Sequence, residues 1–221
     1  MSSVRLIAIS KPVIEECETA EELIAYCARV SNPNNQANHD TAEKLLQYCA
    51  RNSHWSIFET VNVNIEIQCT RDIGRQILRH RSFSFQEFSQ RYAEVDERSF
   101  ELSDCRVQDT KNRQNSFVTH DKALADWWTL NQARHRDASI SLYKSALEKG
   151  IAKEIARKVL PEGLTMSRMY VNGTLRSWIH YCADNIGVRR GKGTQKEHED
   201  IAVPAWDIII EQFPSLTNIG A

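Results

Sequence analysis

Residues 61 to 69 read VNVNIEIQC, a run in which apolar and polar side chains alternate without exception. Successive side chains of an extended chain point to opposite sides. Val61, Val63, Ile65, Ile67 and Cys69 therefore share one face, and Asn62, Asn64, Glu66 and Gln68 share the other. The pattern predicts a half-buried strand with its apolar face on a core. Working outward, VRLIAI at 4–9 predicts a second short strand. Thr19 and Glu22 have capping-box spacing, and Leu23, Ile24, Cys27 and Val30 then fall on one helical face. The polar, Pro-interrupted SNPNNQANHD (31–40) predicts a loop, followed by a helix from about Thr41 to Arg51 with Leu45, Leu46 and Cys49 inward.

Downstream of the strand a helix is expected from about Arg71 to Leu78, and residues 93–120 read as polar and irregular. A long helix is expected from about Lys122 to Lys149, stopped by Gly150, and the shorter IAKEIARKVL (151–160) is ended by Pro161. MYVNGTLRSWIHY (169–181) predicts a strand, a turn and a helix. DNIGVRRGKGT (184–194) is a basic, glycine-rich loop, and a last helix is expected from about Gln195 to Phe213. No repeat and no linker interrupts the chain. The expectation is one α+β domain over 1–221, with a central antiparallel or mixed sheet flanked by helices.

The composition is that of a globular protein, 41% hydrophobic and 26% charged, with a net charge of only −1. No global field favours long nucleic acid. The six cysteines are scattered without a CxxC pair, several at apolar positions, which predicts buried reduced thiols. MSSVRLIAIS lacks a signal-peptide core, and no apolar run reaches the roughly 18 residues of a membrane span. A cytoplasmic protein is expected, of the host cell if the chain is viral. GVRRGKGT (187–194) misses the phosphate-loop spacing, and no GxGxxG occurs. His198 has no second ligand at metal spacing and reads as an exposed helix residue, so no metal is expected. Trp127 and Trp128 read as packing or interface residues.

The chemistry concentrates in RHRSFSFQEFSQRY, residues 79–92. Arg79, His80, Arg81 and Arg91 surround a single acid, Glu87, among Ser82, Ser84, Gln86, Ser89 and Gln90. Unpaired buried charge is costly, so such a segment is a poor core element. Interleaved with Phe83, Phe85 and Phe88, it reads as a site for an anionic, flat ligand such as a nucleotide. Arg79 and Arg81 would point roughly 200° apart on a helix but share a face when extended. Either the helix ends near Leu78, or the two arginines serve different ligands or different sides of an interface. Ser89 and Arg91 repeat the spacing and suit a second phosphate.

RHR followed by seven residues and Ser89 resembles the signature of flavin-dependent thymidylate synthases. HWSIFE (54–59), DTKNRQNS (109–116), EIARKVLP (154–161), NGTLRSWIHY (172–181) and GTQKEH (193–198) resemble further segments of that family, in order, over nearly the whole chain. The resemblance implies FAD held by Ser56, Arg79, His80, Arg81, Glu87, Thr174, Arg176 and His180. It implies a deoxyuridylate (dUMP) site of Gln76, Arg79, Glu87, Ser89, Gln90, Arg91, Arg157 and Arg189. Arg189 is the implied catalytic residue, activating the uracil ring; it lies six before Gln195, and Arg190 competes for the role because the loop is longer than is usual in the family. His54 is a flavin or folate contact or a loop histidine. Ser89 is read as a substrate ligand rather than a nucleophile, since no base is fixed beside it.

The implied reaction is reductive methylation of dUMP, with 5,10-methylenetetrahydrofolate as carbon donor and NADPH as reductant through FAD. The implied assembly is a homotetramer with active sites shared between chains. None of the six cysteines lies in the motif, which agrees with a mechanism lacking a thiolate nucleophile. The alternative from another class is a small nucleic-acid-binding module using the Arg- and Phe-rich segment.

Overall fold

The computed structural model describes residues 2–217 and Ile219. Its strands are β1 (Ser3–Ile9), β2 (Asn62–Thr70), β3 (Phe83–Glu87), β4 (Arg106–Gln108), β5 (Ser116–Val118) and β6 (Met166–Thr174). Its helices are α1 (Ala20–Ala28), α2 (Ala42–Arg51), α3 (Arg71–Ile77), α4 (Lys122–Glu148), α5 (Lys153–Ala156), α6 (Leu175–Cys182) and α7 (Lys196–Gln212). Four strands form one sheet in the order β1-β2-β6-β3, and β4 pairs antiparallel with β5. The class is α+β.

The chain gathers into two compact units built from separated stretches. The first takes Gln68–Arg79 and Gln86–Met169 together with the residues up to Ser3; the second takes Val4–Ile67, His80–Phe85 and the chain from Tyr170 onward. Each strand of the larger sheet thus contributes residues to both.

In the second unit the alternation of 61–69 does what its pattern dictates. Val61, Val63, Ile65 and Ile67 are fully buried, with Ile24, Leu46, Phe58, Trp178, Ile209 and Phe213 beside them in that unit's core. Burying a side chain of this size contributes roughly 1.5–3 kcal/mol. The opposite face is drier than the alternation predicts: Glu66 is buried and accepts from Arg5 at 3.1 Å. The α1 capping box forms, with Glu22 N donating to Thr19 Oγ1 and Glu22 accepting from Thr19 N. Val30 is a correction. The helix ends at Ala28, so Val30 leaves the apolar face and is 69% exposed.

In the first unit α4 closes as expected, Gly150 adopting φ 79° just beyond its cap, a conformation that favours glycine. Tyr143 and Ala146 of α4 pack with Ala156 of α5. Three other expectations change. The irregular stretch 93–120 contains the β4–β5 hairpin, with Arg106 opposite Val118 and Gln108 opposite Ser116. Its turn is organised by Asp109, whose carboxylate accepts from the backbone N–H groups of Lys111 and Asn112. The helix of 151–160 is one short turn that tightens into a 3-10 turn over Arg157–Val159. Trp127 and Trp128, read as packing or interface residues, stack on each other at the exposed surface of α4.

The third change concerns Asn172-Gly173, expected as a turn. β6 runs through it and passes straight into α6, capped by Thr174 accepting from Ser177 N. Gly173 serves packing instead: a Cβ there would stand 2.3 Å from Cδ1 of Phe83.

Candidate active site

The motif begins where α3 ends. Ile77 is the last helical residue and Leu78 the cap, so Arg79 and Arg81 lie in a turn ahead of β3 rather than on a helix. That resolves their spacing in favour of the shortened helix. Both are exposed, and among the described residues neither guanidinium has an anionic partner. Of the three phenylalanines, Phe83 is buried against Trp178, with ring centroids 4.7 Å apart, so it is core rather than a stacking platform. Phe85 and Phe88 are half-buried.

In the first unit Glu87 is anchored from within the chain. Ser167 Oγ donates to Glu87 Oε1 at 2.7 Å, and Arg71 pairs with the same oxygen at 3.2 Å. Neither partner belongs to the motif. Ser89 and Arg91 do come together, lining an open cleft of about 590 Å³ with Tyr92, Ala152, Lys153 and Glu154. Arg91 Nε lies 3.4 Å from Glu154, and Lys153 reaches the Tyr92 carbonyl at 3.4 Å. Gln90 is 4% exposed, and its buried Nε2 has no hydrogen-bond partner among the described residues. A buried amide donor in that state costs roughly 1–3 kcal/mol until a ligand satisfies it. Gln76 is half-buried on α3, and Arg157 follows α5 in the 3-10 turn.

In the second unit the basic loop returns to the RHR triplet. Arg189 Nε donates to His80 Nε2 at 2.9 Å across 109 positions of sequence. Because Arg can only donate, that ring nitrogen is bare. Burial, then the nearby Arg189 charge, pushes the His80 imidazole down to about 4. Arg190, the competitor for the activating role, is held by Asp184 at 2.5 Å. His198 corrects the sequence reading: it is fully buried on α7, and its Nε2 lies 2.9 Å from Tyr181 Oη. Helical position alone could not reveal this, since α6, which packs on α7 and buries it, is distant in sequence.

Around the remaining expected flavin residues, Arg176 pairs with Glu59, and His180 meets Trp55 edge-on at 5.0 Å. Burial and then Arg176 lower the His180 pKa. Thr174 caps α6, Ser56 is exposed in a 3-10 turn, and His54 packs edge-on against Tyr48 at 6.0 Å.

The donor set suits a flavin dinucleotide. Arg79 and Arg81 offer unpaired guanidinium groups for phosphate oxygens, and a neutral His80 adds no further charge. Sequence reasoning missed Lys153, although its spacing of four from Arg157 puts two cations on one helical face. Arg71, Ser167 and Tyr181 carried no local signal. Four of the six cysteines are buried, and burial pushes the Cys69 thiol up to about 12, away from thiolate character. Among the described residues no cluster of His, Cys, Asp or Glu is placed to hold a metal, and no helix is long and apolar enough to cross a membrane.

Residues 12–215 match the family model described as thymidylate synthase complementing protein. The chain is 52% identical over 216 residues to a probable flavin-dependent thymidylate synthase of Paramecium bursaria Chlorella virus 1, covering 98% of this chain and 97% of that protein. It is 50% identical to the flavin-dependent thymidylate synthase of Synechocystis sp., covering 96% of each. Its fold resembles that of a UMP/dUMP methylase, PolB of Streptomyces cacaoi, solved with 5-Br dUMP, at a TM-score of 0.81 and 24% identity over 99% of this chain and 94% of that one. With these matches spanning nearly its full length, the chain belongs to the flavin-dependent thymidylate synthase family.

Proposed function

We propose that the whole chain, 1–221, acts as a single FAD-dependent methyltransferase domain that converts dUMP to thymidylate. The carbon comes from 5,10-methylenetetrahydrofolate and the reducing equivalents from NADPH. The observation that carries the reading is the Arg189–His80 hydrogen bond, which ties the basic loop to the RHR triplet. FAD, when bound, supplies the hydride that reduces the transferred methylene to a methyl group.

The chain's own residues bind, orient and polarise. Arg79 and Arg81 take the flavin phosphates, with Ser56, His80, Glu87, Thr174, Arg176 and His180 as further contacts. Ser89 and Arg91 hold the dUMP phosphate, supported by Lys153 at the same cleft and by Arg157. Gln76, Arg79, Glu87 and Gln90 complete the nucleotide site, the unpartnered amide of Gln90 gaining an acceptor. C5 of uracil is a weak nucleophile, so electron density must be driven into the ring. Arg189 does this by stabilising negative charge as it develops at N3–O4, with a guanidinium oriented before reaction. The Asp184 pairing of Arg190 supports Arg189 in this role.

The assembly is proposed to be a cytoplasmic homotetramer whose chains share active sites. Family membership favours the methyltransferase reading over a nucleic-acid-binding module. The purified protein is expected to be yellow, to bleach on NADPH addition, and to form thymidylate from dUMP and methylenetetrahydrofolate. A colourless protein that fails to take up added FAD would overturn the proposal.

A further inference from the structure

The Arg189–His80 bond is the outermost link of a buried polar cluster in the second unit. Tyr181, on α6, is 1% exposed and acts on three sides. Its carbonyl accepts from the Arg189 backbone N–H at 3.0 Å. Its ring stands perpendicular to His80, centroids 5.0 Å apart at 88°. Its hydroxyl lies 2.9 Å from Nε2 of the fully buried His198, which itself meets His80 edge-on at 6.2 Å and 86°. Phe83 closes the remaining side of His80 at 6.3 Å.

His80 is half-buried and His198 fully buried, both beside the Arg189 charge. Both imidazoles are neutral near pH 7: burial first, then the neighbouring charge, holds His80 at about 4 and His198 at about 3. A neutral His80 keeps one lone pair, and the Arg189 contact places it on Nε2, so the proton sits on Nδ1. The guanidinium thus spends its Nε–H on His80. Its terminal nitrogens have no partner among the described residues.

We propose that Tyr181 and His198 are positioning residues for Arg189: they hold the His80 ring in the orientation in which its bare Nε2 accepts the Arg189 Nε–H, so that the terminal nitrogens of Arg189 face substrate already aligned. The inference rests on the activating role of Arg189 proposed above. A side chain locked by its neighbours needs no reorganisation when charge develops, which is where such alignment lowers a barrier.

The test joins ring 15N chemical shifts of the FAD-loaded protein with steady-state kinetics. In the wild type at pH 7, His80 is expected to show a protonated Nδ1 and a bare Nε2. Tyr181→Phe and His198→Leu are expected to populate the Nε2–H tautomer of His80. They should also lower kcat for thymidylate formation on the order of 100-fold, as for a displaced catalytic group, while NADPH still bleaches the flavin. His198→Gln, which keeps a polar partner for the Tyr181 hydroxyl, is expected to recover most of the loss. An Nε2–H tautomer in the wild type overturns the proposal, whichever variants fold. So does wild-type kcat in folded Tyr181→Phe and His198→Leu proteins. A wild type that shows the Nδ1–H tautomer but makes no thymidylate would instead sink the functional reading and leave the His80–Arg189 geometry standing.

Discussion

At the scale of single residues, two adjacent arginines in one loop have different fates. Arg189 gives its Nε–H to His80, whereas Arg190 is neutralised by Asp184. A guanidinium already paired with a carboxylate has less field to offer a developing anion. Arg189→Ala is therefore expected to slow thymidylate formation on the order of 10²–10³-fold, the scale of losing one preorganised stabilising donor. Arg190→Ala is expected to change it by no more than a few-fold, with a stability change under about 1 kcal/mol, since Asp184 is half exposed. Turnover measured side by side for the two variants decides the assignment; the reverse ranking would transfer the activating role to Arg190. Counting back from Gln195 pointed to Arg189, but what each arginine touches depends on how the loop folds.

At the scale of elements, the β6–α6 passage shows how a local signal can mislead. Asn-Gly is a strong turn pair, yet here it lies in a strand, and the glycine is needed because the Phe83 ring occupies the space where a side chain at position 173 would go. Phe83 cannot step aside, being packed on Trp178 at 4.7 Å and on Tyr181 at 5.7 Å. Gly173→Ala is expected to destabilise the protein by roughly 1–3 kcal/mol through overpacking, read as a lower urea midpoint. Adding Phe83→Leu should recover part of that loss, and a double variant no better than the single one would refute the steric account. The strand 61–69 and the α1 capping box, by contrast, were legible because their determinants lie within a few residues of one another. The α5 region was not: its short turn packs on α4, an element it meets only after the chain has reversed at Gly150.

At the scale of the molecule, histidines wholly or partly withdrawn from water couple folding to pH. In the unfolded chain a histidine titrates near 6.5, whereas folded His80 and His198 lie at about 4 and about 3, and His180 is lowered too. Below pH 6.5 the unfolded chain takes up protons that the folded one refuses, so stability falls as pH falls, and the loss is complete only below the folded values. Arg189 faces both His80 and His198, and Arg176 faces His180, so no acid offsets the effect within those contacts. Urea unfolding is expected to give a free energy lower by roughly 1–3 kcal/mol at pH 5 than at pH 7.5, allowing for solvent screening at the half-buried His80. Equal values at the two pH points would contradict the neutral cluster.

The sequence by itself determined what depends on near neighbours: the alternating strand, the capped helices, the α+β class, and a motif whose spaced cations and hydroxyls announce an anionic ligand. Resemblance along the chain added the family and the residues to examine. Only the tertiary structure decided which of those residues meet. It joined Arg189 to His80, buried His198 on Tyr181, gave Glu87 to Arg71 and Ser167, and set Lys153 beside Ser89 and Arg91. The physical reason is range. Hydrophobic periodicity and capping act over a few residues, whereas burial, desolvation and hydrogen-bond partnership are set by whatever the fold brings alongside.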